Sequence, residues 1–209
     1  MDYFRPNIQS LVGYTPGEQP QHGKYIKLNT SENPYPPSDR VLQAIGAITA
    51  ERLARYPDPI SHAFRAAVSE ILDVPEDWIL CGNGSDELLN LLIRAFVGEG
   101  QAVRFPVPGY VLYPTLCDIQ GARHDPVRYA EDWSLGGNFT ETDQSGRLAI
   151  LANPNNPSGT AIEPKRIAEV ADRLTCPLVV DEAYVDFADQ SCLEPVSYTH
   201  LTLPTTPYV

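Results

Sequence analysis

The sequence predicts an α/β fold, a mostly parallel sheet with helices on both faces, and three observations predict it. "WILCGNGSDELLNLLIRAF" reads as a short apolar strand, a glycine turn and a helix. The unit recurs: "AVRF" leads to "PVPGYVLYPTLCDIQ", "LAILA" to "NPNNPSGTAIEPKRIAEVADRL", and "PLVVDEAY" closes the series. Polar clusters, "GNGSDE", "NPNNPSG" and "DEAY", end the runs. Strands alternating with helices build parallel sheets, and ligands of such sheets gather beyond the carboxyl ends of the strands.

Taken in order, residues 1–37 read as an irregular amino-terminal arm, Pro-rich through "TSENPYPPSD". From Ser38 onward Val41, Leu42, Ile45 and Ile48 share one helical face, with Ser38 or Asp39 as N-cap. Phe64, Ala67, Val68 and Ile71 mark a second amphipathic helix, and Leu88, Leu89, Leu92, Ile93 and Phe96 keep helical spacing after the glycine turn. The alternating pattern makes residues 38–194 one domain. The last stretch, 195–209, "PVSYTHLTLPTTPYV", has no Asp, Glu, Lys or Arg and no periodicity, and reads as a non-native, adaptor-like tail.

Composition narrows the function. A formal net charge of -12 repels nucleic acid and anionic membranes, so neither is an expected partner, and any bound phosphate needs local donors. Cys81, Cys117, Cys176 and Cys192 form no CxxC pair, and His22, His62, His124 and His200 share no ligand spacing. A reduced, cytoplasmic protein without a metal is expected. No basic stretch precedes an apolar core near the amino terminus, and no window reaches a membrane-spanning length.

Three clusters carry chemistry. A glycine turn opening a helix leaves the N–H groups of Gly84, Ser85, Asp86 and Glu87 unpaired at the positive end of the helix dipole, where a phosphate fits; simple capping by Ser85 or Asp86 is the alternative. Asp181 ends an apolar run, where a carboxylate needs a cation or good donors, and Tyr184 lies within reach of the same pocket. In "NPNNPSG" prolines and glycine fix the backbone so that an asparagine amide is aimed at a fixed atom, while Tyr110 sits on a turn where a ring can stack on a planar ligand. A dinucleotide fingerprint is excluded, because "GNGSDE" is not GxGxxG.

Together with "YTPGEQ", "LNTSENPYPPS", "RYPDP", "PGYVLY" and "VVDEAYVDF", these motifs make the chain resemble the fold-type I pyridoxal-phosphate aminotransferases, over roughly Tyr14 to Asp189. "YTPGEQ" and "LNTSENPYPPS" resemble the histidinol-phosphate subgroup in particular. The resemblance implies a truncated large domain over 38–194 and pyridoxal 5'-phosphate as cofactor. Its phosphate would sit on Gly84, Ser85, Asp86 and Glu87, Tyr110 would stack on its ring, and Asn156 and Tyr184 would donate to its ring oxygen. Asp181 would pair with its ring nitrogen, Asp181 and Tyr184 being the catalytic candidates. Tyr56 from a second subunit would reach the phosphate, implying a homodimer, and Tyr14 and Glu32 would face a small amino-acid or phosphate substrate. The family's imine-forming lysine is missing: Lys24, Lys27 and Lys165 are not in its serine-lysine context, so an inactive fragment is expected. A broad-specificity or aromatic aminotransferase and a non-catalytic cofactor-binding module are the competing readings.

Overall fold

A computed structural model describes residues 3–11, 26, 33, 35–193 and 202–203. The chain divides into two compact units, one of Met1–Leu11 with Gly82–Pro207, the other of Val12–Cys81 with Tyr208–Val209.

The first unit is built on a sheet of β1 (Ala102–Val107), β2 (Arg123–Arg128), β3 (Gly146–Ala152), β4 (Leu178–Asp181) and β5 (Thr202–Leu203), in the order β2-β1-β3-β4-β5. Every neighbouring pair runs parallel. Alternation along the strands feeds two cores. Val103, Phe105, Leu148, Ile150 and Val179 pack under the helices α5 (Gly84–Phe96) and α6 (Leu112–Gln120). Ala149, Leu151, Leu178 and Val180 face the other way, toward α7 (Pro164–Arg173) and a 3-10 turn at Gly137–Thr140. Both faces are therefore covered, which is why β3 and β4 are continuous apolar runs rather than alternating ones.

Chain order places the site. From β1 the chain passes through α6 to β2 on one side, while β3 and β4 extend the sheet on the other. The strand order thus reverses between β1 and β3, and at such a switch point the loops leaving neighbouring strands part to form a crevice at their carboxyl ends.

Two elements differ from the sequence expectation. β2, "RHDPVR", is a strand although only Val127 in it is buried. It forms the sheet's edge, where polar residues and Pro126 are tolerated. Conversely, "WILC" is not a strand: a 3-10 turn covers Glu76–Trp78, and Ile79–Cys81 pairs with no described strand. An apolar run becomes a strand only where a neighbour takes its backbone hydrogen bonds.

Arg104, from β1, is buried and points to the α7 side, forming an ion pair with Asp125 directly across on β2 (2.7 Å) and donating to the carbonyls of Asn138 (2.8 Å) and Phe139 (3.0 Å). One guanidinium thereby joins the edge strand to the 3-10 turn.

The second unit contains α2 (Asp39–Gly46), α3 (Ala50–Leu53) and α4 (His62–Leu72). Val41, Leu42 and Ile45 fall on α2 and Phe64, Ala67, Val68 and Ile71 on α4 as predicted, whereas Ile48 lies beyond the end of α2, and Asp58 supports the start of α4 by accepting from the N–H groups of Ile60 (3.1 Å) and His62 (2.8 Å). Their apolar stripes, including Leu42, Ile45, Phe64 and Ile71, are exposed. No described helix is long and apolar enough to cross a membrane.

Candidate active site

Four loop or helix-end segments meet around the carboxyl edge of the sheet. The first follows β1, where the chain turns through Pro108 and Gly109 into Tyr110 and enters α6. A Cβ on Gly109 would lie 2.5 Å from the carbonyl oxygen of Pro106, so only glycine lets the backbone fold back this tightly. Gly109→Ala should therefore lower the unfolding free energy by about 1–3 kcal/mol in urea titration, as overpacking does elsewhere; an unchanged midpoint would mean that the turn has slack.

The second segment opens α5. Gly84 has φ +81°, a left-handed conformation that strains other residues, and the side chain of the N-cap residue Asn83 makes no capping hydrogen bond to the helix start. The first-turn N–H groups thus stay available. Both first-turn carboxylates are already engaged: Asp86 accepts from the Tyr110 hydroxyl (3.1 Å), and Glu87 folds back onto the N–H of Asn83.

The third follows β3. Asn153 and Asn155 are buried, Asn156 half-buried. The Asn153 amide accepts from Ile162 N–H (2.7 Å) and donates to Ile162 O (3.1 Å), closing the loop on itself. Asn155 donates to Ser158 Oγ (2.9 Å) and to the Pro108 carbonyl (3.4 Å), bridging the loops after β1 and β3 across the switch point. Its Oδ1 is buried and accepts no hydrogen bond from any described residue.

The fourth is the end of β4. Asp181 has the same parity as Val179, so its side chain faces α5 and α6, and it is 5% exposed. Oδ2 accepts from the Tyr113 hydroxyl (2.8 Å) and Oδ1 from Ala183 N–H (3.2 Å). Burial pushes the Asp181 carboxyl above its ordinary range, the two donors pull it down, and the charge of Asp86 pushes it up again. Glu182, of opposite parity, is also buried and accepts from Cys192 N–H (2.6 Å) and Ser191 Oγ (2.9 Å), which ties the segment after β4 beneath the site. Tyr110 and Tyr113 meet edge to face with ring centroids 5.6 Å apart. Burial raises the Tyr110 phenol, and the charge and hydrogen bond of Asp86 and the charge of Asp181 raise it further, so these groups share one electrostatic neighbourhood.

This arrangement has counterparts. The profile of the aminotransferase class I and II family matches residues 23–207. The chain belongs to that family. It is 50% identical over 192 residues to a histidinol-phosphate aminotransferase of Rhodopirellula baltica, covering 91% of this chain and 53% of that protein. It is 45% identical over 195 residues to histidinol-phosphate aminotransferase 1 of Trichormus variabilis, covering 92% and 55% respectively. Its fold superposes on the crystal structure of the Sinorhizobium meliloti histidinol-phosphate aminotransferase in complex with pyridoxal-5'-phosphate, with TM-score 0.82, 30% identity, and coverage of 94% of this chain and 55% of that one. The chain thus spans about half the length of the relatives it matches.

In this aminotransferase chain the structure gathers Gly84, Ser85, Asp86, Glu87, Tyr110, Asn156, Asp181 and Tyr184 in one unit, on the loops and helix end just described. Tyr56 is fully exposed in the other unit. Tyr14 and Glu32 lie outside the described residues. Sequence reasoning missed Tyr113 and Asn155. The available signal for Tyr113 was its place in "PGYVLY", three residues after Tyr110 and in the first turn of the helix that follows the turn.

Proposed function

We propose that the chain supplies the cofactor-binding half of a pyridoxal-phosphate-dependent histidinol-phosphate aminotransferase, exchanging an amino group between histidinol phosphate and 2-oxoglutarate. The observation that carries this reading is the buried Asp181 carboxylate, held by Tyr113 and Ala183 at the edge of a switch-point crevice. The donor set fits the cofactor: uncapped N–H groups at the start of α5 suit a phosphate dianion, the Tyr110 ring suits a planar heterocycle, and a buried carboxylate suits a protonated ring nitrogen.

When bound, pyridoxal phosphate supplies an electron sink for the pair released from the substrate's α-carbon. The chain's own residues make that possible. Asp181, ionised, retains a proton on the ring nitrogen, and Asn156 and Tyr184 donate to the ring oxygen. The N–H groups of Gly84, Ser85, Asp86 and Glu87 hold the phosphate without a lysine, which suits a chain of net charge -12. Tyr56 of a second subunit completes the phosphate site in a cytoplasmic homodimer. Tyr14 and Glu32 contact the substrate.

The test is to express the reading frame extended to the length of the relatives, with a lysine downstream of the Asp181–Tyr184 motif, and to assay amino transfer from glutamate to imidazole acetol phosphate. Turnover supports the reading, whereas cofactor binding without transfer to any keto acid overturns it.

The same reading makes a separate prediction about the chain of 209 residues. Lys165 is exposed at the start of α7, and Lys24 and Lys27 precede the large domain. Borohydride treatment with stoichiometric pyridoxal phosphate should leave no pyridoxyl group on these three in peptide mass spectrometry. Stoichiometric labelling of any of them would contradict the need for a downstream lysine.

A further inference from the structure

We propose that Tyr113 is the positioning residue of this site, its hydroxyl fixing both the orientation and the negative charge of Asp181. The inference rests on the reading of Asp181 as partner of a ring nitrogen. A carboxylate 5% exposed keeps its charge only if its oxygens are given donors. Among the described residues two donate to Asp181, and they differ in kind. The N–H of Ala183 comes from the backbone two residues on, and any residue there supplies it. The Tyr113 hydroxyl comes from α6, crosses from a different element, and makes the shorter bond at 2.8 Å.

Tyr113 is also built to stay in place. It is 1% exposed, its ring meets Tyr110 edge to face at 5.6 Å, and it tilts against Phe105 at 6.0 Å. Burial first, then the charge of Asp181, push its phenol far up, so the proton remains on the tyrosine and the bond has a fixed polarity. Two tyrosines three residues apart, one on the turn and one in the first turn of α6, divide the work, Tyr110 donating to Asp86 beside the start of α5 and Tyr113 to Asp181. Asp86 acts on Asp181, Asp181 in turn on Glu182 beside it, and Tyr110 and Tyr129 lie close enough to act on Tyr113. With one carboxylate oxygen held by each donor, the remaining lone pairs are left for a ligand.

The experiment uses the whole chain labelled with [γ-13C]aspartate, the Asp181 resonance being assigned by its loss in Asp181→Asn. In Tyr113→Phe the titration midpoint of Asp181 should rise by about one pH unit or more, the usual worth of a hydrogen bond to a charged group. With 3,5-difluorotyrosine at position 113, a stronger donor of nearly the same shape, it should fall. The fluorinated chain decides the matter if the phenylalanine variant does not fold. An unmoved midpoint overturns the proposal, including the case in which Tyr113→Phe and Tyr113→Leu lower the melting temperature alike without moving it. A second arm adds pyridoxal phosphate labelled with 15N in the ring. Loss of ring protonation in Tyr113→Phe, at a pH where the parent chain retains it, supports both claims. A midpoint that moves while the parent chain never protonates the ring overturns the pyridoxal-phosphate reading and leaves the grip of Tyr113 on Asp181 standing.

Discussion

Replacing Asp181 with alanine in the protein extended to its relatives' length should leave the cofactor bound and lower turnover by roughly two to four powers of ten. The size follows from the environment: breaking a buried charge pair removes about 3–5 kcal/mol, and each 1.36 kcal/mol is tenfold in rate. On the proposed reading binding survives, because the phosphate and ring contacts assigned to the start of α5 and to Tyr110 would not involve Asp181. Spectral titration with pyridoxal phosphate and steady-state kinetics separate the two effects, and near-normal turnover would sink the assignment. The same carboxylate gives a stability signature. Burial raises its folded-state pKa above the ordinary value of 3.8, so the folded chain binds this proton more tightly than the unfolded chain does. Its favourable contribution is complete below that unfolded value and is lost as pH rises through the folded one. Relative to the parent chain, Asp181→Asn should therefore gain stability on going from acid to neutral pH; a gain in the opposite direction would mean that Tyr113 and Ala183 outweigh desolvation.

What the sequence revealed, and what it did not, follows from which forces are local. β3 and β4 were legible because burial on both faces writes a continuous apolar run, and β1 because its short, mostly apolar run leads into a Pro-Gly turn. β2 was not, since an edge strand with one buried residue has no such signature, and "WILC" misled because pairing depends on a neighbour that composition does not encode. The turn residues at Gly84, Tyr110, Asn156 and Asp181 stood out, as glycine, proline and amide clusters at strand ends are unusual in type. The partners of those residues were hidden. That Tyr113 reaches Asp181, 68 positions away, depends on α6 crossing the face that β4 presents with Asp181. That Asn155 bridges to Pro108 depends on β1 lying beside β3. Both are consequences of strand order, which periodicity does not specify.

Strand order also underlies the largest stability effect expected. Arg104→Ala should lower the unfolding free energy of the sheet-containing unit by about 3–5 kcal/mol, because the guanidinium is one partner of a largely buried pair and its loss strands the other. The side chains of Arg104 and Asp125 are 8% and 27% exposed, so water compensates Asp125 only in part. Arg104 also serves the carbonyls of Asn138 and Phe139, which makes the pair more than a Coulombic contact. A double-mutant cycle resolves the two components. Asp125→Ala should be less damaging than Arg104→Ala, since the guanidinium keeps its carbonyl acceptors, and the double variant should be less damaging than the sum, since no carboxylate is left unpaired. Urea denaturation in a Trp78→Phe background makes Trp133 the sole reporter, and its ring lies 5.8 Å from Tyr129 just beyond β2. A loss below about 1 kcal/mol for Arg104→Ala, a size ordinary for an exposed pair, would mean that the edge strand and the 3-10 turn are held by their apolar contacts through Val127 and Phe139 rather than by the charge between them.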